Sequence, residues 1–205
     1  MNLPSEPAAQ PFAVCVYCGS RPGADPAYAA AAQAVGGRIG QRGWSLVYGG
    51  GNVGLMGIVA DAALKAGARA IGVIPRALME REVGHQRLTE QHVVDNMHQR
   101  KQMIAERADA FVALPGGIGT LEELYEVWTW YQLGYHRKPI GLLNVNGYYD
   151  QLLGFMRHSV QQGFLGQEQL DMVDVDTDAA VLLERLYARA SKTSSADGSA
   201  DYSRI

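Results

Sequence analysis

Two short stretches hold side chains whose types and spacing could do chemistry. In the first, Met97, Arg100, Lys101 and Ile104 recur at i, i+3, i+4 and i+7, so a helix over 97–108 carries all four on one face. Asn96, with Gln99 three residues on, marks where that helix should start. Two cations in a first turn oppose the helix dipole, and a nearby anion would offset that cost. A solvated basic patch is the plain alternative. In the second stretch, Pro115-Gly116-Gly117-Ile118-Gly119-Thr120 runs into Glu123. Thr120 and Glu123 have the spacing of a capping box, which offers Glu123 an ordinary structural role. A carboxylate there could also act as a general base or stabilise developing positive charge. On a helical wheel Leu121, Leu124, Trp128 and Tyr131 form one face, read as core. Glu123, Glu126, Val127 and Trp130 form the other, which suits a site wall or a subunit contact.

These residues must be held by a scaffold, and glycine points to it. Of 205 residues 24 are glycine, against ~7% in ordinary proteins. With 47% hydrophobic and 19% charged residues the chain has ample apolar surface for a core. The excess is therefore expected in loops. Three glycine loops follow three predicted strands and precede three helices: Gly19-Ser20, the run from Gly49 and Gly50 to Gly57, and the run from Gly116 to Thr120. Such loops let backbone N–H groups approach an anion at the positive end of a helix. Three at one sheet edge predict a phosphorylated ligand across it. Tight turns alone would also use glycine.

Short β-branched runs alternate with Ala/Leu-rich stretches. Strands are predicted over 12–18, 44–48, 70–74, 110–114, 140–143 and 172–175. Helices are predicted over 26–41, 55–66, 97–108, 120–134, 148–162 and 178–190. This order predicts an α/β fold: one Rossmann-like parallel sheet flanked by helices on both faces, in a single domain over 12–190. Residues 75–96 read as a polar, irregular insertion beyond a strand end, where ligands bind in such sheets. Residues 1–11 and 191–205 read as disordered ends.

Several chemistries are excluded. A net charge of −3 and no Lys/Arg run argue against nucleic-acid binding. No apolar stretch approaches the ~20 residues of a membrane span. The first residues lack the pattern of a secretory leader, so a cytoplasmic protein is expected. Cys15 and Cys18 fall on opposite faces of a strand, which does not suit a redox pair. The five histidines show no ligand spacing, so no metal is expected. Gly49-x-Gly51-x-x-Gly54 matches a dinucleotide fingerprint in form only. It follows the second strand, and the next strand ends Ile74-Pro75-Arg76, with no acid for a ribose. No Gly-Lys-Ser/Thr loop and no Gly-x-Ser-x-Gly elbow occur.

Met97-His98-x-Arg100-Lys101, followed by Pro115-Gly116-Gly117-x-Gly119-Thr120-x-x-Glu123, closely resembles the LOG family of cytokinin riboside 5′-monophosphate phosphoribohydrolases. The stretches at 17–20, 49–57 and 142–149 support the resemblance, which spans about 12–190. It implies hydrolysis of the N-glycosidic bond of a nucleoside 5′-monophosphate, with no cofactor, in a homodimer of the family's smaller branch. It implies Arg100 and Glu123 as the catalytic pair. It implies that Lys101 and the loop Gly116, Gly117, Ile118, Gly119, Thr120, Leu121 and Glu122 bind the nucleotide, with Gly19, Ser20, Gly49 and Gly50 at the same edge. Met97 would pack near the base, and Glu82 and Thr129 resemble further contacts. Two alternatives stay open: a carrier of the molybdenum cofactor, which the chain distantly resembles, and a broader AMP nucleosidase.

Overall fold

The computed structural model describes residues 11–82 and 84–194. Seven parallel strands form one sheet in the order β4-β3-β2-β1-β5-β6-β7. They are β1 Ala13–Tyr17, β2 Ser45–Tyr48, β3 Arg69–Pro75, β4 Glu90–Val94, β5 Ala110–Ala113, β6 Ile140–Leu143 and β7 Val173–Asp176. The chain crosses from β1 to β2 on one side, and β5 pairs with β1 on the other, in register Val14 to Ala110 and Tyr17 to Ala113. The order therefore reverses at β1, the point at which open sheets of this kind bind ligands beyond the carboxyl ends of the strands.

Eight helices are described: α1 Pro26–Gln41, α2 Gly54–Lys65, α3 Arg76–Glu82, α4 Met97–Arg107, α5 Ile118–Gln132, α6 Asp150–Gln161, α7 Gln167–Leu170 and α8 Ala179–Ser194. One core layer joins α1, α2 and α8 to the sheet through Val35, Leu46, Val59 and Leu186. The other joins α4, α5 and α6 through Ile104, Phe111, Leu124 and Met156. Strands β1, β2, β5 and β6 are buried along their whole length, as continuous apolar runs covered on both faces should be. Cys15 lies in one layer and Cys18 in the other, both buried. None of the described helices is long and apolar enough to cross a membrane.

The sequence expectations need three corrections. Residues 75–96 are not an irregular insertion, because they hold α3 and the edge strand β4. An edge strand shows water one side and carries charge: Glu90 pairs with Arg69, and His92 Nε2 lies 3.2 Å from Glu90. That polarity hid the strand. Second, glycines also serve helix packing. A Cβ on Gly36 would lie 2.3 Å from the Val59 carbonyl, and one on Gly40 2.4 Å from Ala66 Cβ, so α1 and α2 meet backbone to backbone. Third, α8 runs to Ser194, past 190, where the sequence reading ends the domain. The expected N-terminal segment, Pro11 apart, and the tail from 195 lie outside the described residues.

Candidate active site

Loops leave β1, β2 and β5 beside one another at the carboxyl edge of the sheet. Gly19 N–H donates to Pro115 O at 3.1 Å, and Leu55 N–H donates to Gly19 O at 3.0 Å, so the first loop ties the other two together. The packing leaves no room for side chains. A Cβ on Gly116 would stand 2.1 Å from the Thr120 hydroxyl, and one on Gly54 2.3 Å from the Ser20 carbonyl carbon. Tyr148 and Tyr149 brace the third loop, each donating its hydroxyl at 2.6 Å, to Gly116 O and Leu114 O.

Helix α5 starts earlier than the capping-box reading places it. Its N-cap is Gly117, in extended conformation, and Ile118 is its first residue. Thr120 therefore sits inside the first turn, buried, and caps nothing. Glu123 lies a turn further in, so its ordinary structural role disappears. The helical wheel also needs amendment. Val127 is buried together with Leu124 and Trp128, because α5 packs against the sheet and against α4 at once.

Helix α4 starts as expected. Asn96 Oδ1 accepts from Gln99 N–H at 2.9 Å, and Gln99 Oε1 accepts from Asp95 N–H at 2.9 Å. This fixes the turn that carries Arg100. The Arg100 side chain is only 9% exposed. Its Nε donates to Val73 O at 3.2 Å, and Nη2 to Gly49 O at 3.5 Å. Met97 Sδ lies 3.7 Å from Nη1. Gly49 has a specific reason to be glycine, since a Cβ there would fall 2.1 Å from Nη2.

Glu123 Oε1 lies 3.6 Å from Arg100 Nη2, an ion pair longer than a hydrogen bond. The Glu123 side chain is 13% exposed. Burial raises its pKa to about 7; Arg100 opposes that rise, Glu122 and Glu126 add to it, and Lys101 works against it. A carboxyl group that changes charge near neutrality is suited to proton transfer. Its charge also reaches Tyr17 and Cys18, and with burial it helps push both groups upward.

The other sequence-derived residues fall into three groups. Gly117, Ile118 and Gly119 present an exposed helix start, with Ile118 88% exposed. Gly19, Gly49, Gly50 and Gly116 form the packed floor beneath it, with Ser20 exposed at its rim. Lys101 turns away from Arg100's partner. Its Nζ bonds Glu122 at 2.8 Å and Glu126 at 2.7 Å, and those carboxylates hold its pKa up against burial. Leu121 packs partly buried on the core. Thr129 is exposed, and its hydroxyl donates to the Tyr125 carbonyl of its own helix at 2.7 Å. Glu82 ends α3, and its side chain lies outside the described residues.

Sequence reasoning put Glu126 on the site-wall face without its partner Lys101, counted Tyr148 only within the supporting stretch 142–149, and gave His85 no role. The i, i+4 spacing of Glu122 and Glu126 is the signal for their shared cation; nothing local marks the contacts of the other two. His98, Lys101, Gln102, Glu126 and Trp130 line a shallow pocket on the outer side of the α4–α5 pair.

Comparison with known proteins fits this geometry. A family model described as "Possible lysine decarboxylase" matches residues 56–186. An Arabidopsis thaliana protein named cytokinin riboside 5'-monophosphate phosphoribohydrolase LOG7 is 54% identical over 152 residues, 74% of this chain and 70% of its own length. A protein of Oryza sativa subsp. japonica, named cytokinin riboside 5'-monophosphate phosphoribohydrolase LOG, is 52% identical over 155 residues, 76% of this chain and 64% of its own length. The chain belongs to the LOG family. Among solved structures, a molybdenum cofactor carrier from Chlamydomonas reinhardtii superposes with a TM-score of 0.66 at 20% identity, covering 89% of this chain and 99% of its own. That likeness shows a shared Rossmann-like fold and nothing finer. The LOG relatives are what give the Arg100–Glu123 edge a chemical context.

Proposed function

We propose that the chain hydrolyses the N-glycosidic bond of an N6-modified adenine riboside 5′-monophosphate, releasing the free base and ribose 5-phosphate. The observation that carries the reading is Glu123, largely buried 3.6 Å from Arg100 with its pKa near 7, in a chain about half identical to proteins named for this activity.

Cleavage of a glycosidic bond passes through an oxocarbenium-like state. Ionised Glu123 beside the anomeric carbon would stabilise that charge and take a proton from the attacking water. Arg100 keeps its proton, so it serves as a fixed positive charge and hydrogen-bond donor as the base departs with its electron pair. The exposed backbone at Gly117, Ile118 and Gly119 would receive the 5′-phosphate at the start of α5. Lys101 would then act at second hand, neutralising Glu122 and Glu126 near the site. Met97, beside the Arg100 guanidinium, would touch the base. No cofactor is called for. The homodimer, with the sites near the interface, and the cytoplasmic location belong to the same proposal.

A carrier of a bound cofactor would have no use for a buried carboxyl group poised near neutrality, which favours the enzyme. Incubation with N6-isopentenyl-AMP, AMP and adenosine, with base release followed by chromatography, tests the reading. Both nucleotides should exceed adenosine by at least about a hundredfold in kcat/KM, because the phosphate positions the ribose. Equal turnover of adenosine and AMP would refute the role of the phosphate. Preference for AMP over the N6-modified nucleotide would favour the broader nucleosidase.

A further inference from the structure

Beyond the pair itself, one buried polar group lies close to the site without a part in the chemistry. His85 is 2% exposed. Its Nδ1 accepts from Arg87 N–H at 3.2 Å, which leaves the ring proton on Nε2, facing Asp61 Oδ1 at 3.2 Å. Asp61 belongs to α2 and also receives Arg87 Nη2 at 2.6 Å. The histidine thus fastens the turn before β4 to α2.

The backbone of the same turn holds the second glycine loop. His85 N–H donates to Gly50 O at 3.0 Å, and Gly84 makes an antiparallel bridge with Gly51. The next carbonyl back, Gly49 O, accepts from Arg100 at 3.5 Å. Residues 49–51 therefore lie clamped between the turn at 84–85 on one side and Arg100 on the other. A loop rich in glycine has little stiffness of its own. Its position, and with it the seat of the Arg100 guanidinium, depends on what grips it.

We propose that His85 is a positioning residue for Arg100, acting through Asp61 and the 49–51 backbone. The inference rests on the proposed reaction for its kinetic arm, and its structural arm does not. Misplacing a catalytic group by about 1 Å costs on the order of a hundredfold in rate. His85→Ala should therefore lower kcat by about ten- to a hundredfold with KM moved far less. His85→Gln, whose amide can still donate to Asp61, should recover most of that loss. In an Arg100→Ala background, His85→Ala should cost nothing more in kcat, because its effect runs through the guanidinium. Asp61→Ala, at an exposed helix position, removes the partner of His85, together with that of Arg87, without touching the buried ring.

Losses that multiply in the Arg100→Ala background, or an unchanged kcat in both His85→Ala and Asp61→Ala, would overturn the proposal. Amide hydrogen exchange over residues 46–55 provides the second arm. Those amides should exchange faster in His85→Ala and Asp61→Ala than in the parent protein, and unchanged exchange would overturn the anchor. A parent protein that releases no base would refute the reaction instead, and the exchange experiment would still decide the anchor.

Discussion

At the scale of single residues, the proposed chemistry rests on two groups. Glu123 has its pKa raised from 4.5 to about 7, chiefly by burial. Its uncharged form is therefore the one the fold prefers. Between pH 4.5 and 7 the unfolded chain loses this proton while the folded chain keeps it, so stability falls as pH rises through that window and stays lower above it. Glu123→Gln mimics the uncharged form. It should unfold at higher denaturant than the parent at pH 8, by up to about 3 kcal/mol, and match it at pH 4.5. Its kcat should fall by at least about a hundredfold, since an amide is no base. In the parent, kcat/KM should rise with pH and level off above about 7; a flat profile from pH 5 to 8 would remove Glu123 from the role of base. Gly49→Ala tests the other group. Its methyl would meet Arg100 Nη2 at 2.1 Å, so the guanidinium must leave its seat. Activity should drop by about tenfold or more with the protein still folded, and full activity would mean the seat is unimportant.

Elements carry these residues only as well as they pack, and here the reach of sequence reading shows its limits. Helix α1 matched its predicted bounds because its signals are local: Asp25 accepts from Ala27 N–H at 2.9 Å, and Pro26 opens the first turn. The buried strands were legible because a strand covered on both faces is an unbroken apolar run. Strand β4 was not, because Glu90, Gln91 and His92 break its apolar run, whereas β7, the other edge, was still read over 172–175. The start of α5 was misplaced because a Gly117 N-cap leaves no side-chain signature, whereas Thr120 and Glu123 supplied a false one. Arg100 and Glu123 were both legible as candidates. Their separation, and the burial that lifts the glutamate, exist only once α4 and α5 are laid side by side. The glycines of α1 teach the same lesson. Gly36→Ala would drive a methyl to 2.3 Å from the Val59 carbonyl of α2. Neither backbone can yield cheaply, so stability should fall by about 1–3 kcal/mol. Activity at low temperature should survive, because this contact lies on the α1–α2 layer, away from Arg100 and Glu123; an unchanged melting temperature would show that the two helices can part freely.

For the whole molecule, the arrangement of exposed apolar groups bears on assembly. Helix α5 presents Ile118 at 88% exposure, Leu133 follows its last turn at 59%, and Phe155 and Phe164 on and after α6 stand at 62% and 91%. Trp130, next to Glu126, adds to the wall of the outer pocket. Large side chains on neighbouring helices of one layer, left this open, are what a partner surface covers. The α1–α2–α8 layer shows less of this, with Val181 at 51%, so one face should pair and the other face water. We propose a two-fold dimer built on the α5 side. Sedimentation at micromolar concentration should give about twice the chain mass of 22.2 kDa, and a stable species of one chain mass would refute it. Ile118 would tie assembly to chemistry, because it lies in the same turn as Thr120, at the proposed phosphate end of the site. Dilution that splits the dimer should therefore lower specific activity as well. If activity per chain stays constant through dissociation, the interface lies elsewhere, and the exposed start of α5 serves the substrate alone.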